Sequence, residues 1–152
     1  NVRAAVMAHD GVVSPFRSAA SYGAINQRIE QLVDQVGLKR HLHARASALS
    51  YGDIALLEIA LALANEPRLL LLDEPVCGMG PQETEQTVDT IRSISKSIDV
   101  VLIEHDMEVV FAIADEIIVM AQGALLARGT PAEITSSAEV QEAYLGAPEE
   151  AD

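Results

Sequence analysis

A chain of 152 residues, 49% of them hydrophobic, is long and apolar enough to bury a core, which excludes a disordered segment. Trp is absent and Tyr and Phe number only three and two, so that core must be aliphatic. The formal net charge of −13, from 23 acidic against 10 basic side chains, repels phosphate backbones and anionic bilayers. Nucleic-acid binding by electrostatics is thereby excluded, and membrane attachment is expected only through a protein partner. Cys77, the single cysteine, excludes an internal disulfide framework, fits a reducing cytoplasm and reads as a small packing residue. The apolar stretch Ile54–Ala64 contains Glu58 and is too short to span a bilayer. No signal peptide opens the chain. It begins at Asn1, without an initiator Met, inside a helical pattern, and this reads as a processed or truncated product.

In chain order, Asn1–Ala8 reads as a short helix, and Asp10–Ser18, with Gly11, Ser14 and Pro15, as a loop. Ile25, Ile29, Leu32, Val33 and Val36 recur at spacings of three and four and predict an amphipathic helix over Ala19–Val36, stopped by Gly37. A turn is expected over Leu38–Ala44, then a helix over Ser50–Asn65 that ends before Pro67. Leu69–Asp73 is apolar up to its last residue and predicts a strand buried on both faces of a parallel sheet. Pro81–Ser97 predicts a helix with Pro in its first turn and Val88, Ile91, Ile94 and Ile98 on its buried stripe. A second buried strand, Val100–Glu104, and a helix over Met107–Ala114 capped by Asp106 follow. Glu116–Met120 and Ala124–Arg128 read as strands joined by a tight turn at Gln122-Gly123. Thr130-Pro131-Ala132-Glu133 has the form of a capping box opening a small helix. Val140–Leu145 is a last short helix, and the acidic tail beyond Gly146 reads as frayed. Strands alternating with helices make an α/β architecture, while the helical N-terminal third reads as a separate subdomain.

Three short segments carry chemistry. Leu69–Leu72 bury a strand whose C-terminal end delivers Asp73 and Glu74, at the edge where α/β sheets bind ligands. There one carboxylate can hold Mg²⁺ and the next can orient or deprotonate an attacking water. Alone, the pair reads equally well as a solvated acidic turn. Leu49-Ser50-Tyr51-Gly52-Asp53 opens a helix: Ser50 is a natural N-cap, Asp53 can complete a capping-box-like pair, and Gly52 permits close backbone approach. Helix N-termini attract phosphate, though any capped helix looks similar. Ile103-Glu104-His105-Asp106 places a histidine after the next strand, at the same edge. His9, His41 and His43 read as surface residues. The four histidines and one cysteine show no zinc-ligand spacing.

The three segments together are more specific than any one. A serine-glycine helix start, an apolar strand ending in Asp-Glu about twenty residues on and a strand ending in His about thirty residues later resemble the ABC ATPase family. In that resemblance Leu49–Asp53 is the signature motif, with Tyr51 where Gly is commoner. Leu69–Asp73 is Walker B, Glu74 the catalytic glutamate and His105 the switch histidine. Ser50-Tyr51-Gly52, Leu57-Glu58-Ile59-Ala60, Ile103-Glu104-His105-Asp106-Met107 and Val140–Gly146 look most like the ATP-binding subunits of branched-chain amino acid importers. Ile54-Ala55 stands where a polar and a basic residue are usual, and Gly80 where the D-loop region Cys77–Pro81 usually has a polar one. No G-x-x-x-x-G-K-[ST] occurs, and neither Lys39 nor Lys96 follows a glycine-rich loop.

The resemblance implies a partial P-loop NTPase fold, with a mostly parallel sheet flanked by helices. Residues 1–48 would be part of a helical subdomain, 49–128 the C-terminal part of the ATPase core and 129–152 C-terminal helices and tail. It implies an ATP-hydrolysing importer subunit, present as a portion that does not hydrolyse ATP alone. Asp73 would serve Mg²⁺, Glu74 the attacking water and His105 the γ-phosphate. Ser50, Tyr51, Gly52 and Asp53 would face the ATP of an opposite subunit. The implied partners are membrane-spanning subunits, a second ATPase subunit in a homo- or heterodimer and, indirectly, a periplasmic binding protein, at the cytoplasmic face of the cell membrane; no nucleic acid is implied. A different reading is a non-catalytic module, lacking Walker A, that pairs with a complete subunit. A DNA-repair or chromosome ATPase is disfavoured by the charge and by the lack of a heptad run.

Overall fold

The computed structural model describes residues 1–11 and 22–145. The predicted loop beyond Gly11, the first residues of the predicted helix Ala19–Val36 and the acidic tail lie outside the described residues. The chain divides into two compact units, Asn1–Glu104 and His105–Asp152.

The first unit begins with α1 (Val2–His9) and α2 (Gly23–Gln35), passes through short 3-10 turns at Lys39–His41 and Ala46–Ala48, and continues into α3 (Tyr51–Leu63). These three helices pack on one another. The predicted stripe of α2 is their seam: Ile25, Ile29, Leu32 and Val33 are buried, and Val36 is fully so. Gly37 ends α2 at φ +74, a left-handed position, while Leu38 N–H closes onto Val33 O at 2.8 Å. Arg28, half-buried on α2, binds Asp10 at 2.6 Å, the Ala64 carbonyl beyond α3 at 2.8 Å and Glu66 at 2.9 Å. One guanidinium fork thus joins the ends of two helices to a third.

Strand β1 (Leu69–Asp73), helix α4 (Pro81–Ile94) and strand β2 (Asp99–Ile103) form a strand–helix–strand crossover whose strands pair in parallel, Leu69 opposite Asp99 through Asp73 opposite Ile103. Helix α4 stops three residues before the predicted Ser97. Val88, Ile91 and Ile94 are buried as expected, and Ile98 follows outside the helix, half-buried. The expectation that both strands are buried on both faces is corrected. Leu70 is 4% exposed, but Leu71 is 68% and its partner Val101 48%, and Leu69 and Ile103 are exposed beside them. Side chains alternate between faces along a strand, so one face is covered and the other presents four aliphatic side chains that no described element overlies.

The second unit holds α5 (Met107–Ile113), β3 (Ile117–Ala121), β4 (Ala124–Gly129), α6 (Pro131–Ser136) and α7 (Ala138–Leu145). Gln122 and Gly123, at φ +50 and +78, make the hairpin turn; positive φ at both positions matches the right-handed twist of the flanking strands. β3 and β4 are antiparallel, so the expected mostly parallel sheet is corrected, among the described residues, to one parallel pair and one antiparallel pair. Ile117 and Val119 of β3 bury against Ile134 of α6 and Val140 of α7. The capping box forms as expected. Glu133 N–H donates to Thr130 Oγ1, and Thr130 N–H donates to Glu133 Oε2 at 2.7 Å.

Candidate functional site

The start of α3 is built around Ser50, whose extended backbone leaves its hydroxyl to accept Asp53 N–H at 3.2 Å. Tyr51, the first helical residue, is 78% exposed. Gly52 is buried, and a Cβ there would lie 3.0 Å from Glu83 Cβ at the start of α4. Its missing side chain lets two helix N-termini approach, a packing role that its position in the sequence did not reveal. Asp53 is buried, with its carboxylate held by Arg40 Nη2 at 3.5 Å and His41 Nε2 at 3.3 Å. His41 is therefore half-buried beside the helix start, correcting its reading as a surface residue, whereas His9 and His43 are exposed. His41 Nε2 also lies 2.9 Å from Arg40 Nε. One nitrogen cannot accept from Arg40 and donate to Asp53 together, so His41 Nε2 makes one of these bonds at a time. Neither Arg40 nor His41 was singled out as a partner of Asp53, because nothing local in the sequence brings the turn over residues 39–41 against the start of α3.

The acidic strand end is built differently. Asp73 ends β1 opposite Ile103, and both Asp73 and Glu74 are exposed. Glu74 N–H donates to Ile103 O at 2.9 Å, extending the parallel ladder by one rung. The backbone then reverses with Glu74 at φ +46, left-handed in a non-glycine residue. Such strain costs on the order of 1–3 kcal/mol and persists only where the surroundings over-determine it. Here Cys77 N–H returns to Glu74 O at 3.1 Å, and Val76 N–H donates to the Glu104 carboxylate at 3.2 Å. Cys77 itself is exposed, against its reading as a packing residue.

His105, exposed, opens the second unit one residue after Glu104. Asp106 then caps α5 by accepting the N–H groups of Glu108 and Val109 at 3.0 and 3.4 Å. The structure thus ties Asp73 and Glu74 to the end of β2, which runs directly into His105, whereas Ser50–Asp53 are tied to the Lys39–His41 turn and α4. A broad open depression of about 490 Å³, lined by Asp34, Gln82, Gln86 and Asp89 among others, includes none of these residues.

Exposed carboxylate oxygens at a strand end fit Mg²⁺, which binds through one or two carboxylates completed by phosphate and water. Among the described residues no group of three or more His, Cys, Asp and Glu is placed to hold a metal ion, so the fit depends on phosphate oxygens brought by a nucleotide. The sequence has no glycine-rich lysine loop to cradle those phosphates. The residues present fit the metal- and water-facing side of a nucleotide site and not its phosphate cradle.

Comparison with known proteins assigns the chain to a family. The family model for the ABC transporter matches residues 2–77, half of the chain, and one for the branched-chain amino acid ATP-binding cassette transporter matches residues 124–150. The chain belongs to the ABC transporter family. It is 41% identical over 133 residues to the high-affinity branched-chain amino acid transport ATP-binding protein LivG of Salmonella typhimurium, covering 86% of this chain and 51% of LivG. It is 41% identical over 116 residues to the corresponding protein BraF of Pseudomonas aeruginosa, covering 75% of this chain and 46% of BraF. The chain spans about half the length of the curated relatives it matches. Among solved structures, the ADP conformation of MJ1267, an ATP-binding cassette of an ABC transporter, superposes with a TM-score of 0.72 at 24% identity, over 96% of this chain and 62% of that one. The fold is that of the cassette.

Proposed function

We propose that the chain is the signature- and Walker-B-bearing part of an ATP-hydrolysing subunit in an ABC importer for branched-chain amino acids or a related small solute. The turn at Asp73–Glu74 carries this reading: two exposed carboxylates at the C-terminal edge of a parallel pair, the second held in a left-handed conformation. Similarity to LivG and BraF supports the solute class.

In this reading residues 1–48 belong to the helical subdomain, 49–128 to the ATPase core and 129–152 to the C-terminal helices. Asp73 would hold Mg²⁺, directly or through water, and the metal when bound would offset phosphate charge. Glu74 orients the attacking water and accepts its proton, and His105 contacts the γ-phosphate. The hydroxyl of Ser50 and the backbone N–H groups of Tyr51 and Gly52 at the start of α3 would meet the γ-phosphate of ATP held by an opposite subunit. The charge of Asp53, which would oppose an anion there, is turned inward onto Arg40 and His41. The partners are a second ATPase subunit and membrane-spanning subunits, with a periplasmic binding protein acting through them, so the chain works at the cytoplasmic face of the membrane. No helix among the described residues is long and apolar enough to cross it.

The test is Glu74→Gln in the assembled transporter. The amide keeps the shape and removes the base, so turnover should fall by about 10²- to 10⁴-fold while Mg-ATP affinity is unchanged. Hydrolysis within a few-fold of wild type would reject the assignment.

A further inference from the structure

We propose that Glu104 is a positioning residue: its carboxylate straps the turn that carries Glu74 and sets the direction in which Glu74 presents its side chain. This deepens the function proposed above and rests on the role given there to Glu74.

The argument begins with the amides of the turn. Glu74 N–H is the last to join the ladder, on Ile103 O at 2.9 Å. Pro75 has no N–H to offer. The next amide able to hold the turn against β2 is that of Val76, and it donates to Glu104 Oε1 at 3.2 Å. Val76 is 7% exposed, so its amide has little access to water as an alternative partner. Beyond it the turn closes on itself through Cys77 N–H to Glu74 O and Met79 N–H to Val76 O. Glu74 and Pro75 therefore lie between two anchors on the same stretch of β2, one at Ile103 and one at Glu104. Pro75 fixes its own φ, and the two anchors act together with the Cys77 N–H bond to Glu74 O in holding Glu74 at its left-handed φ of +46. With the second anchor gone, Glu74 can relax to ordinary β or α dihedrals, and its Cα–Cβ bond swings away from its present direction.

The residue type follows from the register. Asp73 pairs with Ile103, so residue 104 stands beyond the end of the ladder and must reach residue 76 with an acceptor on a long side chain. Glu meets that need, and Gln offers the same length with a neutral acceptor. The position also precedes His105 directly, so one peptide segment both steadies the proposed base and leads into the proposed γ-phosphate contact.

The experiment has two arms. In the full chain, backbone amide exchange of Val76 is measured by NMR for wild type, Glu104→Ala, Glu104→Leu and Glu104→Gln, with circular dichroism as the control for folding. Leu keeps the bulk without an acceptor, should Ala unfold the turn. Loss of a hydrogen bond to a charged acceptor should accelerate Val76 exchange about tenfold or more in the Ala and Leu variants, and far less in Gln. Unchanged exchange in both overturns the proposal. In the assembled transporter, Glu104→Leu should lower kcat about tenfold with the KM for Mg-ATP held within about twofold, and Glu104→Gln should recover most of kcat. An unchanged kcat, or a fall not rescued by Gln, overturns positioning. The Glu74→Gln variant separates the two ideas: full activity there removes the functional reading and with it the positioning role, while Val76 exchange still decides whether the strap exists.

Discussion

The two strand pairs of this molecule follow opposite rules. β3 and β4 pair antiparallel, and their unit closes its own core: Ile117 and Val119 point inward onto Ile134 and Val140, while Ile118 and Met120 point out. β1 and β2 are nearly continuous aliphatic runs, yet only one of their faces is covered. An antiparallel pair can leave one face to water. A parallel pair is usually covered on both faces, and the described residues cover one. The first unit therefore leaves open a face that parallel pairs usually cover, on the same sheet that carries Asp73 and Glu74.

That contrast can be tested by where substitutions hurt. Ile134→Ala should destabilise the second unit by about 2–5 kcal/mol, since its side chain is 2% exposed and the cavity would be left open. Leu71→Ala, the same kind of truncation on the uncovered face, should change the stability of the chain by no more than about 0.5 kcal/mol. Urea unfolding followed by circular dichroism measures both, and equal losses would end the comparison. The uncovered face should show itself in solution instead. The weight-average mass from light scattering should rise with concentration for the wild type, and the rise should be suppressed by Leu71→Lys with Val101→Lys, a cross-strand pair on that face. A concentration-independent monomer in the wild type would show that exposed aliphatic surface here is tolerated.

The smallest effect concerns pH in the second unit. The Thr130 N–H and then the Thr130 hydroxyl hold the Glu133 carboxyl below its ordinary value, and the Arg128 guanidinium does the same for Glu116. A lowered carboxyl contributes stability that is fully present above the ordinary carboxylate range and drains away as pH falls through the lowered value. Glu133→Gln should thus depress the thermal midpoint slightly at neutral pH, and the gap from wild type should close in acid. A gap that stays constant into acid would mean that the carboxylate charge adds nothing to the cap.

Most elements could be read from the chain because their causes are local. The stripe of α2, the Pro81 start of α4, the Gln122-Gly123 turn and the Thr130 box each follow from residues a few positions apart. What could not be read depends on residues distant in sequence. The apolar run at Leu69–Leu72 announces a wish for burial, not whether cover is present. The packing of Gly52 against Glu83 of α4 joins residues far apart in the chain. Asp53 looks like half of a capping pair, and nothing near it in sequence shows that the Lys39–His41 turn folds over it. The carboxylates Asp73 and Glu74 stood out by their place after a strand, but Glu104 did not, because its bond to Val76 spans 28 residues.

The left-handed backbone at Glu74 sets two selection pressures against each other. Glycine, or to a lesser degree asparagine, would occupy φ +46 with less strain, so a search for tighter folding should be drawn to replace this glutamate. If the carboxylate is the base of hydrolysis, the same replacement ends turnover. Variants selected only for thermal endurance and variants selected only for transport should therefore diverge at position 74, marking it as a place where the protein holds chemistry at the expense of its own rest state.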